Sequence, residues 1–141
     1  MAQNNPKSFS IVINSQLSEL NRIREAIEEK LNYIDIVELN RIILAIDEIL
    51  SNIIEHGYKL KANNFIYIDF QLFDKKLIVK IEDNAPHFNI LNYTDPDLEQ
   101  HANKGKPRGL GLFLVRSIMD EIQYEPKIPE GNINILIKHL N

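Results

Sequence analysis

Apolar positions along the chain switch between two spacings, and the switches mark out the elements. Residues 8–13 (SFSIVI) are short and rich in β-branched side chains, which predicts a strand. Over 16–33, Leu17, Leu20, Ile23, Ile27 and Leu31 recur at three- and four-residue steps and predict a helix, with Ser15 as its N-cap. A stronger helical pattern covers 36–56. Asp35 is its cap, and Leu39, Ile42, Ile43, Ile46, Ile49, Leu50, Ile53 and Ile54 form a stripe wide enough to cover one side of a sheet. Gly57 is expected to end this helix in a left-handed conformation, with His56 in the last turn where a cation favours the helix dipole. Two runs at 65–73 and 77–82 predict strands, and the short spacer Asp74-Lys75-Lys76 predicts a hairpin between them. Periodicity then fades over 84–108, where Pro86, Pro96, Gly105 and Pro107 punctuate a long loop and Thr94 or Asp95 caps one short helix. A helix opens at Gly109-Leu110-Gly111 and runs through Phe113, Leu114, Ile118 and Met119. Strands near 122–124 and 133–139 close the chain around a turn containing Pro126, Pro129 and Gly131. The order is β-α-α-β-β-loop-α-β-β. Tight turns between consecutive strands imply a mixed, mostly antiparallel sheet. Three amphipathic helices cover one face of it, which makes an α+β, two-layer α/β sandwich.

Composition narrows the function. A chain of 141 residues suits one domain over 1–141 and is long enough to bury a core. The net charge of -4 argues against a general nucleic-acid binder, which presents a basic face, but not against binding one anionic small molecule. With no cysteine there are no disulfides, zinc–thiolate sites or cysteine nucleophiles. Residues 1–7 carry no apolar signal core and no run spans a bilayer, so a cytoplasmic protein is expected, without membrane contact.

Three short motifs carry possible chemistry. On the second helix, Glu48 and Asn52 lie four residues apart and share a face. Taken alone, such a pair is more often a solvated polar stripe. Read functionally, Asn52 offers a carbonyl oxygen to a hard cation and Glu48 a proton acceptor one turn away. His56 reads best as a dipole partner. At the end of the fifth predicted element, Glu82-Asp83-Asn84-Ala85-Pro86 is either an Asx turn before proline or a carboxylate at the floor of a pocket. In the second case Asp83 accepts from an exocyclic amine and Glu82 points to the opposite face. Last, Gly109-Leu110-Gly111 enters a helix behind Lys104, Lys106 and Arg108. That suits phosphate at a helix N-terminus, although a lone Gly-x-Gly is more often a tight turn. It is neither a Walker loop nor a Rossmann fingerprint.

Taken in order, these motifs resemble the Bergerat-fold ATPases, and in detail the anti-sigma-factor serine protein kinases, the histidine-kinase-like ATPase domains of bacterial partner-switching modules. The stretches that carry the resemblance are AIDEILSNIIEHGY (45–58), IEDNAPHFNIL (81–91), GLGLFLVRSIMDEIQYE (109–125) and GNINILIK (131–138). The resemblance implies ATP and Mg2+ as cofactors, with Asn52 the magnesium ligand, Glu48 the catalytic base and Asp83 the reader of the adenine amino group. It implies a nucleotide site that also includes Ala85, Lys104, Arg108, Gly109, Leu110, Gly111 and Leu112, with Gly109 and Gly111 shaping the phosphate end, under an ATP lid at about 85–108. Ala85 departs from the Asp-x-Gly of many relatives, which puts a methyl group beside the adenine site. The implied reaction is phosphorylation of Ser or Thr on an anti-sigma-factor antagonist of the STAS type, with a sigma factor as alternate partner and a homodimer common in this branch. The competing expectation is a nucleotide-gated binding module with little or no kinase activity.

Overall fold

The computed structural model describes residues 7–92 and 110–140. Its strands are β1 (Lys7–Asn14), β2 (Phe65–Phe73), β3 (Lys76–Asp83), β4 (Glu121–Pro126) and β5 (Asn132–His139), and its helices are α1 (Leu20–Lys30), α2 (Ile36–Asn52) and α3 (Leu110–Ile118). The strands form one sheet in the order β1-β2-β3-β5-β4. Every neighbouring pair is antiparallel. The two-layer α+β architecture expected from the pattern is therefore the observed one, with no parallel pair among the described strands.

Alternation decides which face of the sheet is covered. Along β3, Leu77, Val79, Ile81 and Asp83 are buried, and the residues between them are half-buried. On the inward face, Ile66, Ile68, Phe70, Val79, Ile81 and Leu136 meet Ile42, Ile46, Ile49 and Leu50 of α2 and Val115 of α3 in one core. The Phe9 and Phe70 rings stack 4.4 Å apart within this layer. Among the described residues no helix lies over the opposite face, and Val12, Phe65, Tyr67 and Phe73 are exposed there.

Local signals hold at some element ends and fail at others. Asp35 caps α2 as expected, its carboxylate accepting from the Val37 and Glu38 amides at 3.2 Å. The β2–β3 turn is Asp74-Lys75, both residues at positive φ (52° and 64°), as a two-residue hairpin of this twist requires. Ser15 does not cap α1. It is buried, donates to the Lys61 carbonyl at 2.5 Å and accepts from the Asn64 amide at 3.2 Å, so tertiary contacts have taken its hydroxyl. A short 3-10 turn, Leu17–Glu19, precedes α1 instead.

The end of α2 also differs from expectation. The helix passes into a π turn over Ile53–Gly57, closed by the Tyr58 amide donating to the Ile53 carbonyl at 2.8 Å. Among the described residues the left-handed ones here are Lys59 and Leu60, at φ 55° and 63°, rather than Gly57. The wider turn keeps both Ile53 and Ile54 buried. Gly57 serves another purpose: a Cβ there would lie 3.0 Å from the Ala85 methyl, so its bareness lets the turn close on the end of β3.

Candidate functional site

A cavity of about 170 Å³ opens where the end of α2 faces the ends of β3 and β5. From α2 and its π turn come Asn52, Ile53 and His56; from β3 and the chain just beyond it, Asp83, Ala85, His87 and Phe88; from β5, Asn132 and Asn134. Three separate stretches of sequence therefore meet at one point. They are held there by α2 packing over the sheet.

Asp83 is the chemical centre of this cavity. It is fully buried, and its two oxygens are not equivalent. Oδ1 accepts from the Ala85 amide and from Asn132 Nδ2, each at 2.9 Å, whereas Oδ2 is buried without a hydrogen-bond partner. Burial pushes the carboxyl above its ordinary range, against the opposing pull of those two hydrogen bonds and of Lys127. Among the described residues no donor reaches Oδ2, which leaves an oriented, desolvated acceptor on the wall of the cavity.

Asn132 fixes that orientation. It lies directly across from Asp83 in the β3–β5 pair, and its amide is fully used. Nδ2 also donates to the Pro86 carbonyl at 3.0 Å, while Oδ1 accepts from the Phe88 amide at 2.9 Å and from the Tyr124 hydroxyl at 2.6 Å. One side chain thus pins the carboxylate, the segment 85–88 and β4 together. Tyr58 makes a second tie: its hydroxyl accepts from the Asn84 amide at 2.7 Å and donates to the Phe65 carbonyl at 3.0 Å. Lys127 makes a third, donating to Glu82 and Asn84 at 2.8 Å. Glu82 is thereby held on the outward face, opposite to Asp83.

The other expected site residues fall into three groups. Asn52 and Ala85 line the cavity, as Asp83 does. Glu48 stands one turn before Asn52, against the start of α3, where a Cβ on Gly111 would collide with Glu48 Oε2 and lie 3.0 Å from its Cδ. Gly111 thus makes room for a carboxylate. Burial, then the charges of Asp47 and Glu55, raise the Glu48 carboxyl above its ordinary range. Leu112 is buried in the core, so its side chain faces away from any ligand. Leu110 begins α3. Lys104, Lys106, Arg108 and Gly109, the short helix expected near 95–99 and the lid beyond residue 92 lie outside the described residues.

The sequence pattern did not single out Asn132, Asn134 or His87, and it assigned His56 only to the helix dipole. His56 lines the cavity wall as well as ending the helix, and His87 faces it while its Nε2 lies 2.6 Å from the Lys127 carbonyl. A signal existed for the asparagines: Asn132 and Asn134 share the strand phase of Leu136, so two amides had to point inward.

The arrangement is an apolar slot with one buried carboxylate acceptor, next to a helix bearing an amide and a carboxylate a turn apart. Residues 13–138 match the family described as the histidine kinase-like ATPase domain. The chain belongs to that family. Among individual proteins, it is 26% identical over 102 residues to the serine-protein kinase RsbW of Listeria monocytogenes serovar 1/2a, covering 70% of this chain and 64% of that one. It is 32% identical over 84 residues to RsbW of Bacillus cereus (strain AH820), covering 57% and 52% respectively. The chain thus spans less than two thirds of the length of these relatives. Of solved structures, that of the RsbU and RsbW domains of Rv1364c from Mycobacterium tuberculosis superposes with a TM-score of 0.67 at 17% identity, over 95% of this chain and 32% of that chain. The histidine kinase AdeS of Acinetobacter baumannii gives 0.51 at 21% identity, over 99% and 70%. Both show a shared fold. As a member of the histidine kinase-like ATPase family, the chain carries its cavity at the end of a helix on an antiparallel sheet.

Proposed function

We propose that this domain is an ATP- and magnesium-dependent serine/threonine protein kinase that acts in partner switching, phosphorylating an anti-sigma-factor antagonist and alternately binding a sigma factor. The observation that carries the nucleotide half is the open Oδ2 of Asp83 in its cavity. A single free oxygen suits one exocyclic amine. The paired ring and amino donors of guanine would ask for both oxygens, and Oδ1 is already engaged by two donors. The partner half is supported by the family and by the names of the RsbW relatives.

The donor set fits magnesium. Asn52 lines the cavity and offers an oxygen ligand, the kind a hard cation takes while keeping waters and phosphate oxygens around it. When bound, the ion neutralises charge on the phosphate oxygens.

The chain's own residues do the rest. Asp83 and the walls of the cavity orient the base, and Asn132 keeps the carboxylate still. Glu48 accepts the proton of the partner's hydroxyl. The hydroxyl oxygen bonds to the γ-phosphorus as the bond to the β-phosphate oxygen breaks, and ADP departs. A carboxylate with a raised pKa is a better proton acceptor than an ordinary one, and burial beside two acidic neighbours is what raises it.

The test pairs binding with transfer. Calorimetry with ATP, with magnesium and with chelator, should show magnesium-dependent binding. Intact mass of an antagonist domain incubated with ATP and the protein should rise by one phosphate. Glu48→Gln should keep ATP affinity within about threefold and lower transfer by at least about a hundredfold. Equal phosphorylation by the variant sinks the base assignment. Binding without any transfer by the wild type favours the alternative, a nucleotide-gated binding module. Sedimentation at several concentrations tests for the homodimer.

A further inference from the structure

Asn134 is a buried amide that the reading above leaves without a role. It sits on β5 opposite Ile81, one pleat deeper in the sheet than the Asp83–Asn132 pair. Only 2% of its surface is exposed, its side chain lines the cavity, and its Oδ1 is buried with no hydrogen-bond partner. The inward positions around it are apolar, Ile81 and Leu136 among them. A leucine of similar shape would fill this place without an unmet carbonyl. Two unpartnered acceptors, Asp83 Oδ2 and Asn134 Oδ1, thus belong to one small cavity that is otherwise mostly apolar.

We propose that Asn134 is a second base-reading residue, which takes the amino edge of adenine together with Asp83. The inference rests on the cavity being a purine nucleotide site. An exocyclic amine has two hydrogens, and the two acceptors supply a place for each, the deeper one directly or through one ordered water. An amide can turn to present either end. Asp83 cannot, so the fixed carboxylate sets which base is welcome and Asn134 sharpens the choice.

The probes are ATP, GTP and purine riboside triphosphate, which has hydrogen in place of the amino group. Calorimetry on the wild type and on Asn134→Leu compares their affinities, and thermal melting follows the unliganded proteins. The wild type should prefer ATP over both analogues. In Asn134→Leu, ATP should bind about tenfold more weakly while the purine analogue changes by less than about twofold, so the preference set by Asp83 narrows. The same variant should melt at a higher temperature without ligand, because the unmet carbonyl is gone. If Asn134→Leu does not fold, Asn134→Val carries the same criterion. An unchanged ratio of ATP to purine analogue in a folded variant overturns the proposal and leaves Asn134 a buried amide. Absence of ATP binding by the wild type overturns the nucleotide reading and this inference with it. The two failures are thus told apart by the wild type alone.

Discussion

The two oxygens of Asp83 have different surroundings, and the difference yields opposite effects on stability and on binding. Oδ1 is held by Ala85 and Asn132, while Oδ2 is buried without a partner. Because burial raises this carboxyl in the fold, the folded state gains from its protonated form at low pH and loses that gain as pH climbs through the raised value. Asp83→Asn keeps an oxygen for the two donors and removes the buried charge. The unliganded variant should therefore melt a few degrees higher, about 2–5 °C, at neutral pH, with the gap closing at acid pH. Its ATP affinity should fall by at least about tenfold, because an amide donor would then face the amine of the base. A lower melting temperature together with intact affinity would contradict both halves. Gly111 gives a second prediction at this scale. Gly111→Ala places a methyl against the far end of Glu48, a flexible group, so the fold should survive while the carboxylate is displaced. Displacement on the order of an ångström costs about a hundredfold in transfer. Phosphate transfer to the antagonist should drop by that much while ATP binding stays within about threefold.

Helix α2 joins the core and the site, and its faces are divided accordingly. Ile42, Ile46, Ile49 and Leu50 are buried on the sheet side, whereas Asp47 and Glu48 stand on the flank. Asp47 is tied to α1 by Arg24, whose Nη2 donates to Oδ2 at 2.6 Å. That pair stands directly beside Glu48, whose carboxyl is raised in part by the charge of Asp47. Arg24→Ala would leave the Asp47 charge uncompensated and push Glu48 higher still. The acid limb of transfer, which needs ionised Glu48, should then move to higher pH with little change in rate on the plateau. A profile that stays in place would separate Arg24 from the site. Much of this element was legible in the chain: the length of the stripe, the Asp35 cap and the shared face of Glu48 and Asn52 all follow from the helical repeat. Its end was not. Whether residues 53–57 continue as an α-helix or widen to a π turn depends on two isoleucines being buried at once and on the Ala85 methyl waiting across from Gly57. Local propensity contains neither fact.

At the scale of the whole molecule, the described residues form five antiparallel strands and three α-helices around one core, and the cavity opens where the last turns of α2 overhang the ends of β3 and β5. The repeat lengths of the sequence determined the order of elements, the hairpin, the one-sided placement of helices and the inward phase of Asp83, because period and composition act over a few neighbouring residues. The order of motifs, from Glu48 and Asn52 through Asp83 to Gly111, pointed to the family for the same reason: each is a local feature of a particular element. Three things were decided only by the tertiary structure. The first is which oxygen of Asp83 remains open, since that depends on Asn132, 49 residues away in sequence and opposite it in the sheet. The second is that Gly111 makes room for Glu48, a contact between α2 and the start of α3. The third is that Asn132 and Asn134 share the cavity with Asn52 and His56. Long-range packing brings such groups together. The unmet hydrogen-bonding groups that mark a site become visible only once every other polar atom has found its partner.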